Sequence, residues 1–423
     1  MKKSKYNYSF EHNGKFYLFN PYSGLCELSS ELFNLYNADI NLWPNSLKEK
    51  LIRKKYVVDE IDEYNVFLIM RNRIVYSKNT LLLEIAPTLN CNCQCGYCFV
   101  SKKSQSMNIE TQNNILDFIA RRIVQGVRIV KVTWFGGEPL LAYQTISDLS
   151  KKIISLCAQH NVQYQSFLIT NGILLNKEIV DNLSNLKING LQITLDGTEE
   201  FHNHERPCSH TNGFRQILNN LKLFTSNIKP VIRVNVSHRN CESICNLLYQ
   251  LDEYAQFIKS ITFSPIFSIN NTESSYKEEL FDGKVFSEYE IRYIKTLATT
   301  KLKYEFFLKG KFVGDSAHIL NYFCIDPNGN LYKSSFMLGN EDYIITNLKR
   351  FNMIDCFYSP NFSRYINNEF EEKCQQCFFL PYCIGGEASM ISGKCDSIRY
   401  NFQTQLEFYI DCLNTNKFES ESQ

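Results

Sequence analysis

The pattern of residues 80–266 predicts an α/β fold built on a parallel sheet, and three observations carry the prediction. Six strand-like runs alternate with helical ones, the mark of a parallel sheet, flat or curled into a partial or full barrel. Each strand runs into a short, mostly polar or glycine-bearing turn. The residues that bear chemistry collect in those turns, at the carboxyl ends of the strands, where such sheets place their ligand sites.

Taken in order, the chain first offers residues 1–79, a small α+β domain. "GKFYLFNPYSGLCELSSELFNLYN" (14–37) suggests a hairpin through "NPYSG" into a helix, and "SLKEKLIRKKYVVDEIDE" (46–63) a helix followed by a short strand. The segment resembles the small winged-helix modules that grip leader peptides, which implies a peptide grip; its plainer reading is a cap on the sheet's edge. "TLLLEIAP" (80–87) is a continuous apolar run ending at a proline, as a fully buried strand requires. The loop that leaves it holds Cys91, Cys93, Cys95 and Cys98. Helical spacing over 113–125 leads to "RIVKVTWFGGEP" (128–139), a strand entering a glycine turn. The alternation continues with a helix over 145–160, the strand "QYQSFLITNG" (163–172), a helix over 177–186, and "GLQITLDG" (190–197). A helix over 214–225, "VIRVNVS" (231–237), a helix over 242–254 and "IKSITFSPI" (258–266) complete it. Residues 267–313 read as a variable connection, and 314–423 as a cysteine-rich closing domain.

Composition bounds the chemistry. A net charge of +1 gives no field that would gather nucleic acid or an anionic membrane. The basic start is followed by no apolar run of secretory type, and the longest apolar stretches are strand-sized, too short to span a bilayer. A cytoplasmic protein is expected, and there sixteen cysteines are not a disulfide framework. Cys26, Cys157, Cys208, Cys241, Cys245, Cys356 and Cys412 are scattered, as small buried hydrophobes are. Two dense sets remain: the first loop, and Cys374, Cys377, Cys383 and Cys395. A zinc loop and an iron–sulfur cluster compete for the first. Zinc loops usually draw a second pair from a distant segment. A four-iron cluster on Cys91, Cys95 and Cys98 would leave one iron open, which makes a seat for a ligand.

Cys91-x-x-x-Cys95-x-Tyr97-Cys98 resembles the signature of radical S-adenosylmethionine enzymes. Gly136-Gly137-Glu138-Pro139 resembles that family's segment for the methionine amino group, and "LITNG" (168–172) and "ITLDG" (193–197) its later strand ends. The resemblance implies a partial (β/α)6 barrel, a four-iron cluster on Cys91, Cys95 and Cys98, and reductive cleavage of S-adenosylmethionine to a hydrogen-abstracting 5′-deoxyadenosyl radical. It also implies that Gly136, Gly137, Glu138, Pro139, Thr170, Asn171, Thr194 and Asn235 hold the cofactor, with Tyr97 beside its adenine. Cys93 is surplus and is expected not to ligate. Plainer roles exist: Glu138 as a helix-start carboxylate, and Thr194 and Asp196 as turn closers.

"CQQCFFLPYCIGGEASM" (374–390) resembles the C-terminal extension called SPASM, found on radical enzymes that modify peptides and proteins. Ser334 and Glu387 stand where that family carries cysteines, so the resemblance implies one auxiliary four-iron cluster, on Cys374, Cys377, Cys383 and Cys395. Cys324 is expected in the core. The implied activity is maturation of a ribosomally made precursor peptide by a cross-link or other carbon-centred change, with a flavodoxin or ferredoxin as electron donor. Sulfatase maturation is the nearest alternative, but that resemblance calls for an aspartate after the turn cysteine, where this chain has Ser334-Ser335. A small-molecule radical enzyme and a zinc-binding, non-catalytic protein stand further off.

Overall fold

The computed structural model describes residues 1–101, 103–208, 212–225, 228–266, 281–304, 316–366, 370–383, 395 and 397–413. Six strands form the central array: β6 (Thr80–Ile85), β7 (Ile129–Trp134), β8 (Gln163–Thr170), β9 (Ile188–Thr194), β10 (Pro230–Val236) and β11 (Ser260–Pro265). They lie side by side in chain order, each parallel to the next, and β6 and β11 do not pair. The array is therefore an open, partial barrel of the predicted α/β class. Successive strands can sit adjacent only if each returning helix crosses the same face. The helices do so because each has one apolar face. Helix α4 (Ile109–Val124), capped by Asn108 on the Thr111 N–H at 2.8 Å, buries Ile115, Phe118, Ile119 and Ile123.

Strand β6 departs from the expectation of burial on both faces. Leu81, Leu83 and Ile85 are buried under the helices, whereas Leu82 and Glu84 face the lumen and are half-buried. The alternation is the period of a strand whose second face lines a cavity.

Two further features fall outside the sequence expectation. Strand β12 (Tyr322–Ile325) pairs in parallel with β6, and β13 (Asn330–Tyr332) and β14 (Thr346–Asn347) follow antiparallel, extending one sheet to nine strands. The start of the cysteine-rich region is thus continuous with the core sheet. Within the expected connection, the helix Gly283–Ala298 packs on the helix Ile398–Cys412. There, buried Glu290 accepts hydrogen bonds from Ser397 Oγ (3.0 Å) and Asn401 Nδ2 (2.8 Å).

The N-terminal segment is a three-stranded meander, β2 (Tyr8–His12), β3 (Lys15–Asn20) and β4 (Gly24–Leu28), with helices α1 (Ser30–Asn37), α2 (Asn45–Arg53) and α3 (Glu63–Val75). One face of the meander closes on Tyr36, Trp43, Leu47 and Leu51. The other places Phe10, Tyr17 and Phe19 against Phe379, Phe402 and Leu406. The two ends of the chain share a core.

Candidate active site

The loop after β6 lies across the carboxyl ends of the strands and is stitched to the loop after β7. The Gly137 N–H donates to the Thr88 carbonyl (3.1 Å) and the Glu138 N–H to that of Asn90 (2.7 Å). Glycine is required there by contact: a Cβ on Gly137 would lie 2.2 Å from the Asn90 carbonyl oxygen. One on Gly136, at φ +137°, would lie 2.5 Å from that of Thr88.

That approach sets Glu138 at the floor of the loop, 1% exposed. Its Oε1 accepts from Thr170 Oγ1 (2.7 Å) and the Leu140 N–H (3.0 Å), and its Oε2 from the Asn171 N–H (2.8 Å). Burial raises its pKa, and those donors partly oppose the rise. Thr170 and Asn171 thus serve Glu138 first, and the Asn171 Nδ2 donates to Asn92 Oδ1 of the cysteine loop at 2.7 Å. Pro139 is buried at the start of the short turn that Glu138 caps, behind the cavity wall.

A cavity of about 260 Å³ opens above these groups. Cys91, Cys95, Cys98, Tyr97, Gly136, Gly137, Glu138, Thr170, Asn171, Thr194 and Asn235 all line it, which unites every expected site residue of the sheet except Pro139. The sulfurs are neighbours: burial pushes the Cys95 thiol up to about 11, the Arg206 guanidinium opposes this, and Cys98 and Cys91 add to the rise. Among the described residues no three His, Cys, Asp or Glu side chains converge tightly enough to share one metal ion. The set suits a cluster, in which each iron takes one thiolate, better than a single zinc.

Tyr97 is more constrained than the sequence suggests. Its hydroxyl donates to Asp196 Oδ2 and receives Arg206 Nη1 and, at 3.3 Å, Asn235 Nδ2. Asp196 is fully buried; its Oδ1 accepts from the Asn235 N–H (2.8 Å), and Arg206 pairs with its Oδ2 at 3.4 Å. Burial raises the Asp196 pKa, against the pull of Arg206. Arg206 and the lumen-facing Arg233, Gln192 and Glu84 also line the cavity, and sequence reasoning missed all four. Only period-two spacing from Thr194 and Asn235 marks Gln192 and Arg233.

One cysteine expectation is corrected. Cys93, expected only not to ligate, is bonded to Cys208, so Cys208 is not the lone thiol the sequence suggested. The reason is local: the two residues face each other in an antiparallel bridge, and the Gln94 N–H donates to the Pro207 carbonyl at 2.8 Å. A separation of 115 residues hides the pairing from any spacing argument.

In the second cysteine set, Cys374 and Cys377 are joined by a Cys377 N–H bond to the Cys374 carbonyl (3.0 Å). Burial raises the Cys374 pKa, and Cys377 and Cys395 are near enough to add to it. Cys383 ends the short helix Leu380–Cys383, and Arg399 Nη1 lies 3.0 Å from Cys395 Sγ. Glu387 falls outside the described residues.

Residues 85–239 match the model of the Radical SAM superfamily. An uncharacterized protein of Methanocaldococcus jannaschii is 30% identical over 197 residues, 43% of this chain and 61% of that protein, so the chain spans less than two thirds of this relative. A cysteine-type anaerobic sulfatase-maturating enzyme of Clostridium novyi is 26% identical over 365 residues, covering 76% of this chain and 92% of the enzyme. The structure of Streptococcus suis SuiB bound to its precursor peptide SuiA shares the fold, with a TM-score of 0.54, 17% identity, and 94% and 97% of the two chains covered. No helix among the described residues is long and apolar enough to cross a membrane. The thiol loop, the glycine turn and the buried glutamate, gathered at the ends of a partial barrel, all fall within the residues that match the Radical SAM superfamily.

Proposed function

We propose that the protein is a peptide maturase that binds S-adenosylmethionine and a four-iron cluster in the cavity and modifies a carbon centre of a ribosomally made precursor peptide. The observation that carries the reading is Glu138: a buried carboxylate, fixed by three donors, in one cavity with three neighbouring thiols. Cys91, Cys95 and Cys98 would hold the cluster. Glu138 would take the cofactor's ammonium group in a charge-assisted bond. Gly136, Gly137, Thr194 and Asn235 would line its path, and Arg206 and Arg233, which also line the cavity, would offer cations to its carboxylate. Thr170, Asn171 and Pro139 would act through Glu138, by fixing its rotamer and turn. Tyr97, held by Asp196 and Arg206, would wall the purine side. Once bound, the cofactor and cluster supply hydrogen-atom abstraction from an unactivated carbon. Phe99, Phe135, Ile266 and Phe336 give the cavity apolar walls that keep water from that step.

Cys374, Cys377, Cys383 and Cys395 would hold one auxiliary four-iron cluster, with the Arg399 guanidinium against Cys395. A flavodoxin or ferredoxin would supply electrons. The relationship to a sulfatase-maturating enzyme supports a second reading, maturation of a sulfatase. Ser335 speaks against it, for it lines the cavity where that chemistry calls for an aspartate. For the N-terminal segment, the packing of Phe10, Tyr17 and Phe19 on Phe379 and Phe402 supports the capping role.

The test is anaerobic reconstitution, followed by assay of 5′-deoxyadenosine and of the mass of two substrates. One is a peptide encoded beside the gene; the other is a sulfatase peptide bearing the target cysteine or serine. The proposal expects the first to change mass. Conversion of the second alone would establish the sulfatase reading, and failure to form 5′-deoxyadenosine at all would refute both.

A further inference from the structure

The bond between Cys93 and Cys208 has no part in that chemistry, yet it joins two pieces of the site. Cys93 sits between two of the proposed cluster ligands, Cys91 and Cys95. Cys208 follows Arg206 by two residues, and its Sγ lies 3.1 Å from the Arg206 carbonyl. Arg206 in turn reaches Tyr97 and Asp196 in the cavity. Cutting the Cys93–Cys208 bond would leave these loop edges joined by hydrogen bonds, among them Gln94 N–H to the Pro207 carbonyl and Arg206 Nη1 to the Tyr97 hydroxyl. Exposure of the two residues differs. Cys93 is 1% exposed, whereas Cys208 is half-buried beside the exposed Pro207.

We propose that Cys93 and Cys208 form a redox-active thiol pair, open to thiol–disulfide exchange at Cys208, which in its oxidised state tethers Arg206 to the cluster loop. The co-reactant is a small thiol or a dithiol protein. Its thiolate attacks the sulfur of Cys208, the less buried of the two residues, the S–S bond breaks, and Cys93 leaves as a thiolate that takes a proton from solvent. A second thiol then attacks the mixed disulfide on its own sulfur and releases Cys208. The protein pair gains two electrons and two protons, and the co-reactant becomes a disulfide. Re-oxidation by an external disulfide runs the same steps backwards. Oxidation adds a covalent restraint to the contacts with Tyr97 and Asp196 that hold Arg206; reduction leaves part of its ordering to be done when ligand binds. Ordering one long side chain is worth about twofold to tenfold in affinity.

The test uses the reconstituted holoenzyme under anaerobic conditions, poised in a series of glutathione redox buffers and then trapped with a thiol-alkylating reagent. Mass mapping should find a peptide linking residues 93 and 208 at the oxidising end and two alkylated thiols at the reducing end, reversibly. S-adenosylmethionine should bind about twofold to tenfold more weakly to the reduced form. Cys208→Ser should behave as reduced wild type in every buffer. Cys93→Ser serves as a second variant if that one fails to fold. Two alkylated thiols at every poise would overturn the proposal, as would equal cofactor affinity in both states. The affinity arm rests on the cavity's taking S-adenosylmethionine; the trapping arm does not, so the two ideas can fail separately.

Discussion

Replacing Glu138 by glutamine tests the centre of the site. The carboxylate offers acceptors on both oxygens, and three donors use them: Thr170 Oγ1, the Leu140 N–H and the Asn171 N–H. Glutamine has one oxygen and one NH₂. With its oxygen toward Leu140 and Thr170, the NH₂ meets the Asn171 N–H; flipped, it meets the Leu140 N–H. The Thr170 hydroxyl can rotate to accept, but a backbone N–H cannot. One buried donor therefore faces another in either orientation, a cost of about 1–3 kcal/mol. Against this, a neutral amide escapes the burial that raises the carboxyl's pKa. The sign follows. In wild type this group's contribution is fully present below about pH 4.3, its unfolded pKa, and is lost as pH rises through the higher folded value. The deficit of Glu138→Gln should therefore be larger at pH 5 than at pH 8, read as the difference in thermal midpoint. Affinity for S-adenosylmethionine should fall by about one to two powers of ten, the scale of a lost charge-assisted bond to an ammonium. Titration of the cofactor, followed by the cluster's electron paramagnetic resonance signal, reads this directly. An unchanged cofactor affinity in a folded, cluster-loaded variant would refute the assignment and return Glu138 to the role of a turn cap.

Changing Cys91, Cys95 and Cys98 together to alanine should abolish 5′-deoxyadenosine formation and lower bound iron from about eight to about four per chain, with the auxiliary cluster's signal retained. Gly137→Ala puts a methyl against the Asn90 carbonyl at 2.2 Å, where the clashing atom is backbone, and should cost about 1–3 kcal/mol in thermal or denaturant unfolding. Burial lowers the pKa of His202 to about 3, and its Nδ1 accepts the Asp196 N–H at 3.2 Å. Its contribution is therefore present above about pH 6.5 and lost at about 1.4 kcal/mol per unit as pH falls toward the folded value. His202→Asn, which keeps an acceptor, should show a flatter stability profile between those limits. Deleting residues 1–75 should expose Phe379, Phe402 and Leu406 and lose solubility or the auxiliary cluster; a soluble product with both clusters and failed peptide modification would instead mark the segment as a peptide grip.

The strands of the barrel were legible because each carries a short apolar run ended by a turn, and the candidate residues that meet at the cavity were legible because they sit in those turns. What spacing cannot show is which partner a side chain takes once several turns meet. Thr170 and Asn171 were expected to hold the cofactor, yet their hydrogen bonds go to Glu138 and Asn92. Tyr97 was placed by a purine, yet its hydroxyl is committed to Asp196 and Arg206. Arg206 carries no motif that the sequence reading used, and it enters the site only because the chain after β9 folds back over the cysteine loop. The same return explains why Cys93 and Cys208 were read as unrelated. The helix of residues 283–298 lay hidden in a stretch taken for a connection, since its apolar positions, Phe286, Tyr293, Ile294 and Leu297, sit among charges.

The departures from the two-cluster pattern also have a structural logic. Ser334 is 1% exposed, and its hydroxyl accepts the Phe336 N–H at 3.2 Å, closing the turn that sets Ser335 and Phe336 in the cavity wall. Cys324 is fully buried among Ala86, Leu89, Val100, Tyr332 and Leu338, and burial holds its thiol well above the usual range. A thiol so placed gives up packing and must lose its proton inside an apolar shell before it can bind iron. Cys324 is here part of the seam where β12 joins β6. That seam fixes the wall of the cavity, and iron at that point would have to open it.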